Sequence, residues 1–416
     1  MAALGAAGWG VEEVERHLAA HGLHPTSTAT SGDGPVLVLV TLYGGNDGLN
    51  TVVPYEDPSY ATARGSIALA AQSVLPLGDG FGLHPAMTGF QALYRAGQLA
   101  VVLGVGYPDP NLSHFASMDI WQSAMPDGDQ GTGWIGRWLD ATGTDPLRAV
   151  SIGPTVPLAL VGTKVQGAAV PPPPLTLPGG GAQQAAFAGM QVVSSGEPGL
   201  LADVARTSGD LLRVQRTLAP VLDRTSPAGS PGSASTALHD GGGAALAITQ
   251  GGGGRATSSV LSGQLELVAA MIDAGVPTSV YAVSFGGFDT HTNQAATQHA
   301  LLGQLDQAVS AFLAKVAGSR RRPVIVLVYS EFGRRVAGNA SAGTDHGTAN
   351  VVLVAGPGVR GGLIGEAPRL TKLDPNGNLQ ATTDFRSVYA ALFTQVLGAD
   401  PTSFLGGRFP PPTLLR

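Results

Sequence analysis

Carboxylate and imidazole side chains stand beside the ends of four predicted strands, where an open α/β sheet places its active site. The candidate metal ligands at these places are Asp47, Asp289, His291, Glu331, Asp345 and His346. This mixed oxygen and nitrogen donor set suits one or two divalent cations such as Zn, Mn, Mg or Ca. Each residue could instead cap a turn, fill the core or form an ion pair. Their recurrence at successive strand ends favours the metal site.

A serine and a histidine at a predicted helix start are candidates for catalytic chemistry. Ser113 and His114 precede the predicted helix 115–123 and follow prolines that end the predicted strand 99–105. A hydroxyl at a helix N-terminus gains from the helix dipole and from free N–H groups that bind an anion. Serine is also a preferred N-cap residue, so Ser113 is either a nucleophile or only a cap.

Further polar residues near these strand ends could hold an anionic substrate or complete the metal site. A guanidinium binds the oxygens of a phosphate or sulfate group well. Arg334 is therefore a candidate catalytic residue, and the substrate-binding candidates are Asn46, Asn111 and Arg335. His84 and His114 are further candidate ligands for the cation.

The elements that must position these residues alternate between apolar strands and amphipathic helices. The predicted strands are 36–42, 99–105, 278–285, 324–329 and 351–355, and the predicted helices are 11–20, 87–97, 115–123, 264–274, 294–317 and 382–397. Continuous apolar, β-branched strands are typical of a parallel sheet covered on both faces. The pattern therefore predicts an α/β fold.

Four segments of different composition divide the chain. Residues 1–35 form an N-terminal helix and linker, and residues 36–155 and 259–416 form the two parts of the α/β core. Residues 156–258 contain a polyproline run and three glycine runs, which are typical of surface loops. We interpret this third segment as an insertion or cap.

Composition excludes several classes of protein. The chain has 416 residues, of which 44% are hydrophobic, and 23 Lys and Arg against 29 Asp and Glu give a net charge of −6. We therefore expect a folded protein that does not bind nucleic acid. The absence of cysteine excludes disulfides, thiolate nucleophiles and cysteine-based zinc sites. No apolar run is long enough to span a membrane, and the sequence carries no signal for the oligomeric state.

The chain resembles the DUF1501 family, a group similar to the alkaline phosphatase and sulfatase superfamily, in motifs spread over residues 36–398. These motifs are LYGGNDGLNTVVPY, FGLHPAM, GVGYPDPNLSHFASMDIWQ, GGFDTHTNQ, YSEFGRRVAGNASAGTDHGTAN and TTDFRSVYAALF. The resemblance implies a three-layer α/β/α sandwich with a mostly parallel central sheet, divalent metals at the sheet edge, and a Ser or Thr nucleophile at a helix start.

The same resemblance assigns roles to individual residues. It matches Asp47 to the metal-binding aspartate after the first strand. It matches Asp289 with His291 to one metal pair, and Asp345 with His346 to an Asp-His-Gly pair.

We therefore expect a metal-dependent hydrolase that acts on a phosphate or sulfate ester of a small molecule or glycan. The attacking group would be Ser113 or a metal-bound hydroxide, because a cation lowers the pKa of the nucleophile and neutralises the ester oxygens. The alternative is a catalytically inactive binding or scaffold protein that keeps the fold. An ordinary serine hydrolase is disfavoured because the sequence has no GxSxG motif.

The resemblance also implies export, because DUF1501 proteins often carry a twin-arginine signal. The first residues, MAALGAAGWG, lack the basic region of a signal peptide. We therefore expect an exported protein whose printed start is truncated or misassigned, with a cytoplasmic location as the alternative.

Overall fold

A computed structural model describes residues 34–128, 131–171, 259–318 and 322–416, together with Thr217. The segment Gly34–Arg416 forms one compact unit. The predicted helix 11–20 and most of the predicted cap 156–258 lie outside the described residues.

Two sheets contain the strands that the structure describes. The strands are β1 (Val36–Leu42), β2 (Val52–Val53), β3 (Leu75–Gly78), β4 (Phe81–Leu83), β5 (Leu99–Gly106), β6 (Ala149–Ile152), β7 (Ala168–Val170), β8 (Val280–Phe285), β9 (Val324–Ser330), β10 (Asn350–Ala355), β11 (Gly362–Ile364) and β12 (Thr383–Asp384). The central sheet has nine of them in the order β11-β5-β10-β9-β1-β8-β6-β7, with β12 paired to β5, and the small sheet has the order β2-β4-β3.

Helices connect most of the central strands. They are α1 (Gly48–Thr51), α2 (Pro58–Arg64), α3 (Thr88–Arg95), α4 (His114–Ser123), α5 (Trp134–Thr142), α6 (Val260–Asp273), α7 (Gln294–Ala317) and α8 (Phe385–Leu392). A π-helical turn, Phe393–Leu397, extends α8. Among the described residues, no helix has the length and apolarity needed to cross a membrane.

Both faces of the central sheet are covered, as the continuous apolar strands predict. Every residue of β1 is buried, and alternate residues pack into different apolar clusters. Val38 and Val40 pack with residues of α3, α6 and α7, whereas Leu37 and Leu39 pack with residues of α4, α5 and α8. The protein is therefore a mixed α/β structure around a mostly parallel sheet.

The strand β10 runs antiparallel to both of its neighbours, β5 and β9, whereas the other pairings in the central sheet are parallel. The loop 331–349 therefore leaves the carboxyl end of β9 and enters β10 at the same edge of the sheet. That edge also receives the carboxyl ends of β1 and β8, because Leu42 is in register with both Phe285 and Ser330. Three strand-end loops consequently meet there.

One short strand lies inside the segment that the sequence assigns to a cap. Residues 168–170 form β7, which pairs in parallel with β6 at the edge of the central sheet. Three residues are too few to show a strand pattern, and the glycines and prolines on either side favour a loop. The described residues 156–171 therefore extend the core of the fold.

A buried histidine next to the small sheet makes stability depend on pH. His84 is 2% exposed, and its Nδ1 accepts a hydrogen bond from the Ala86 backbone N–H at 3.1 Å. Burial, helped by the nearby His299, lowers the pKa of His84 to about 4. Below about pH 6.5, His84 therefore binds a proton in the unfolded chain but stays neutral in the folded protein. The free energy of unfolding consequently decreases as the pH falls from 6.5 towards 4.

We predict that His84→Asn, which keeps a hydrogen-bond acceptor, removes this acid sensitivity. Between about pH 7.5 and about pH 5 the unmodified protein should lose about 2 kcal/mol more unfolding free energy than the variant does. Urea denaturation of both proteins at the two pH values measures the difference. Equal losses would show that His84 is not a neutral, buried group.

Candidate metal centre

Two loops and the start of one helix bring four ionisable groups together at the carboxyl edge of the sheet. The β8–α7 loop carries Asp289 and His291, the β9–β10 loop carries His346, and α4 begins with His114. The β1 loop makes room for this approach. Gly44 has a φ of +114°, and a Cβ there would lie 2.4 Å from the Asp289 backbone nitrogen, so only glycine fits.

The carboxylate of Asp289 is the centre of the group. Its Oδ1 lies 3.0 Å from His291 Nε2 and 3.3 Å from His346 Nε2, and these two nitrogens are 3.0 Å apart. His114 Nε2 lies 3.5 Å from Asp289 Oδ2. Ligand atoms of His114, Asp289 and His346 all lie within 4.8 Å of one another. For comparison, two donors bound tetrahedrally to one zinc ion are roughly 3.3 Å apart.

The hydrogen bonds on the far side of each ring decide which nitrogen is free. His114 Nδ1 lies 2.7 Å from Glu331 Oε1, and His346 Nδ1 lies 2.8 Å from the Leu112 carbonyl oxygen. A carbonyl oxygen and an ionised carboxylate only accept, so each Nδ1 carries the proton. In the neutral rings, the Nε2 lone pairs therefore face Asp289, as in the carboxylate-histidine pairs that orient metal ligands.

A third histidine repeats the arrangement at the exposed side of the group. His291 Nδ1 lies 3.4 Å from Asp345 Oδ1, and its Nε2 faces Asp289. Asp345 also accepts a hydrogen bond from Asn339 Nδ2 at 3.2 Å. That bond and the neighbouring His291 lower the pKa of Asp345. Asp345 thus lies behind His291 in the position that Glu331 takes behind His114.

The pKa directions agree with a cation-binding group. Burial lowers the pKa of His346 below its ordinary value, which keeps this ring neutral near pH 7. The hydrogen bond to Glu331 raises the pKa of His114 against the effect of burial. Burial raises the pKa of Asp289, but Arg334 and the two neighbouring imidazoles outweigh it, and the net pKa is lowered. Asp289 is therefore ionised at neutral pH.

Lone pairs that face a carboxylate repel it unless a proton or a metal ion lies between them. His114 Nε2 is buried and has no hydrogen-bond partner among the described residues. With the rings neutral, the three carboxylates of Asp289, Glu331 and Asp345 and the guanidinium of Arg334 leave two negative charges. A divalent cation would balance these charges and use the free Nε2 atoms.

Glu331 is a predicted metal ligand that the structure places behind a histidine. It is 1% exposed, and its Oε1 accepts hydrogen bonds from the Gly44 backbone N–H at 2.8 Å and from His114. Its Oε2 lies 2.8 Å from the Ser330 hydroxyl. These bonds occupy the carboxylate, so in this structure Glu331 orients His114.

Arg334, a predicted catalytic residue, is fully occupied inside the protein. Its side chain has no exposed surface, and its Nη2 donates to Asp289 Oδ1 at 2.6 Å. Its other hydrogen bonds go to the backbone carbonyl oxygens of Gly44, Gly45, Phe288 and Thr344. Arg334 therefore fixes the position of Asp289, and its burial keeps it away from a substrate.

Asp47, predicted as a metal ligand, lies in a separate buried ion pair. Arg64 donates to both of its carboxylate oxygens, at 2.5 and 2.8 Å, and Gln294 Nε2 donates to Oδ2. Asp47 also accepts the Leu49 backbone N–H as the N-cap of α1. The structure does not bring Asp47 together with His114, Asp289 and His346.

The remaining predicted residues surround the group. Ser113 is exposed and stands at the N-cap position of α4, but its side chain makes no capping hydrogen bond. Asn111 Oδ1 accepts the Ser113 backbone N–H at 2.8 Å. Asn46 is 3% exposed and bonded to Thr51, so it supports the β1 loop. Arg335 lies near enough to Asp345 to lower its pKa.

Two features of the group are hidden in the sequence. His114 is far from the other ligands along the chain, although its position directly after Ser113 makes it a candidate. The Leu112 carbonyl oxygen, which orients His346, cannot be recognised from the residue type, because every residue has a backbone carbonyl. Its only signal is its position two residues before His114.

Comparison with known proteins gives a match to one family model, over part of the chain, and no activity. Residues 245–392 match the DUF1501 family model, described as a protein of unknown function. The DUF1501 segment includes Asp289, His291, Glu331 and His346, and His114 lies outside it. No curated protein matches the chain.

A solved structure titled as a 2-O GAG sulfatase resembles the chain weakly. The sequence identity is 10% and the TM-score is 0.30, with 79% of this chain and 65% of that chain covered. The chain thus spans about two thirds of that protein's length. A likeness of this strength carries no inference about activity.

We predict that His346→Ala lowers the affinity for Zn²⁺ or Mn²⁺ by more than about 100-fold, because it removes one of the converging nitrogens. Glu331→Gln should cost less, about 10- to 100-fold, as expected for a group that only orients a ligand. Isothermal titration calorimetry on metal-free protein measures both effects. His299→Ala, which changes an exposed histidine elsewhere, is the control, and equal affinities for all four proteins would refute the site.

Proposed function

We propose that the protein is a metal-dependent hydrolase of phosphate or sulfate esters. The observation that supports this proposal is the convergence of the Nε2 atoms of His114, His291 and His346 on the Asp289 carboxylate. Each ring is oriented from behind by an acceptor, which is how proteins prepare histidine ligands. The site is partly open, since side-chain exposures of 24% for His346 and 29% for His114 leave room for a substrate.

A divalent cation held there would act as a Lewis acid, which lowers the pKa of an attacking oxygen and offsets the charge of the ester oxygens. The chain's own residues prepare the site for that role. Glu331 and the Leu112 carbonyl hold two imidazoles in the tautomer that binds metals, and Arg334 holds the carboxylate between them. These contacts fix the site before the substrate arrives.

Ser113 is the candidate nucleophile in this proposal. The residues on either side of it both contact the group, because Leu112 accepts from His346 and the next residue is His114. Ser113 is exposed and its side chain makes no capping hydrogen bond, which favours the nucleophile over the N-cap interpretation. The Ser113 oxygen would bond to phosphorus or sulfur as the bond to the leaving alcohol breaks, and water would then release the anion.

Arg335 is the candidate for holding the ester anion. Arg334 is buried and donates to backbone carbonyl oxygens and to Asp289. In contrast, Arg335 Nε has no hydrogen-bond partner among the described residues. Arg335 also follows Arg334 in the loop that carries Asp345 and His346. A guanidinium there could reach an anion at the metal centre.

The proposal includes the three-layer α/β/α arrangement of the alkaline phosphatase and sulfatase superfamily. Two apolar clusters on opposite sides of β1, each containing helices, support this arrangement. The substrate class that follows is an anionic ester of a small molecule or glycan.

The test of the function is direct. Protein purified without chelator should contain a divalent metal by mass spectrometry. It should also hydrolyse 4-nitrophenyl phosphate or 4-nitrophenyl sulfate, lose that activity with chelator and regain it with added metal. Substoichiometric metal, together with a melting temperature that chelator does not change, would support the alternative of an inactive binding protein.

We predict that Ser113→Ala lowers turnover of such an ester by several orders of magnitude while metal content and melting temperature stay unchanged. The loss follows because the attacking oxygen is removed and the metal ligands are not. Steady-state kinetics with metal analysis of the same samples measures it. Ser66→Ala, which changes an exposed serine in the 3-10 turn Gly65–Ile67, is the control.

Retention of more than about a tenth of the activity by Ser113→Ala, a barrier change under about 1.4 kcal/mol, would exclude covalent catalysis by this residue. Water activated at the metal centre would then be the attacking group.

A further inference from the structure

A separate cavity of about 350 Å³ lies where the small sheet packs against β5 and β10. Most of its wall is apolar. The apolar wall includes Leu49, Val52, Phe81, Leu103, Val351 and Leu370. We call it the β5–β10 cavity. Its size and apolar character are those of small-molecule sites in proteins.

An irregularity of the sheet lies among the residues that line the cavity. The β5–β10 ladder changes register between Asn350 and Val352, next to the lining residues Leu103 and Gly104. Gly104 has a φ of +60°, and a Cβ there would lie 1.9 Å from the Thr382 hydroxyl oxygen. A bulge bends the strand that carries it, and such bulges are common beside binding sites.

Charged groups of mainly one sign stand around the cavity. Glu56, Asp57 and Asp79 line it, against one exposed cation, Arg369. Arg334 also lines the wall, but its side chain has no exposed surface and is paired with Asp289. The lining therefore favours a positively charged partner over an anion.

We propose that the β5–β10 cavity binds a small organic cation, with an alkyl or aryl body against the apolar wall and an ammonium group beside Glu56 and Asp79. None of His114, Asp289, His291 and His346 lines this cavity, so its ligand would not contact the metal group. Burying about six methylene groups and forming two exposed ion pairs gives a dissociation constant on the order of 0.1–1 mM.

The test compares three probes of equal length by isothermal titration calorimetry on the full chain. These are hexylammonium chloride, 1-hexanol and sodium hexanoate, which each have six carbons and carry a positive, a neutral and a negative head group. Hexylammonium should bind the most tightly and hexanoate the most weakly. The variant Glu56→Gln with Asp79→Asn should weaken hexylammonium binding about tenfold, since each exposed ion pair contributes up to about 1 kcal/mol.

Two further variants separate the site from non-specific effects. Glu366→Gln removes an exposed carboxylate that does not line the cavity, and it should leave binding unchanged. Ala367→Phe fills the cavity from its half-buried rim and should abolish binding with no change in metal content.

The proposal is overturned if 1-hexanol binds as tightly as hexylammonium, if the double variant binds normally, or if no probe gives saturable heat. These outcomes leave the metal centre unaffected, so they are distinct from a failure of the proposed hydrolase.

Discussion

The buried guanidinium of Arg334 joins the three loops on which the metal centre depends. Its donors reach the β1 loop, the β8–α7 loop and the β9–β10 loop at once. Its partners are the carbonyl oxygens of Gly44, Gly45, Phe288 and Thr344 and the carboxylate of Asp289. Burying a guanidinium costs free energy unless it is paired with a carboxylate and its N–H groups have acceptors. The three loops must therefore keep the positions that supply these acceptors. The antiparallel direction of β10 makes this geometry available, because both ends of the β9–β10 loop stay at one edge of the sheet.

The same contacts create an electrostatic problem that a cation would solve. Arg334 holds Asp289 in place, and the acceptors behind His114 and His346 hold their protons on Nδ1. The Nε2 atoms of these two rings, and that of His291, lie within 3.5 Å of one ionised carboxylate, that of Asp289. Protonation of His114 relieves part of this repulsion, which agrees with its raised pKa. A divalent ion would relieve all of it without protonating the rings.

The sequence predicts the strands well, but it does not show which partners the carboxylates meet. The apolar runs of β1 and β9 and the long α7 are found close to their predicted bounds, because burial on both faces and helical periodicity are local patterns. The roles of Glu331 and Asp47 depend instead on distant partners. Glu331 meets His114, 217 positions away, and Asp47 meets Arg64 and Gln294. An Asp or Glu at a strand end can be a metal ligand or can orient another ligand, and the residue type alone does not distinguish the two roles.

The central claim is that His114, Asp289 and His346 hold one metal ion, although these residues are far apart in the chain. A crystal of metal-loaded protein, measured at the absorption edge of the bound metal, tests this most directly. The account predicts an anomalous peak about 2.0–2.3 Å from the Nε2 atoms of His114 and His346 and from an oxygen of Asp289. A peak elsewhere, or a site occupied by Arg334 and protonated imidazoles with no metal after soaking, would contradict it.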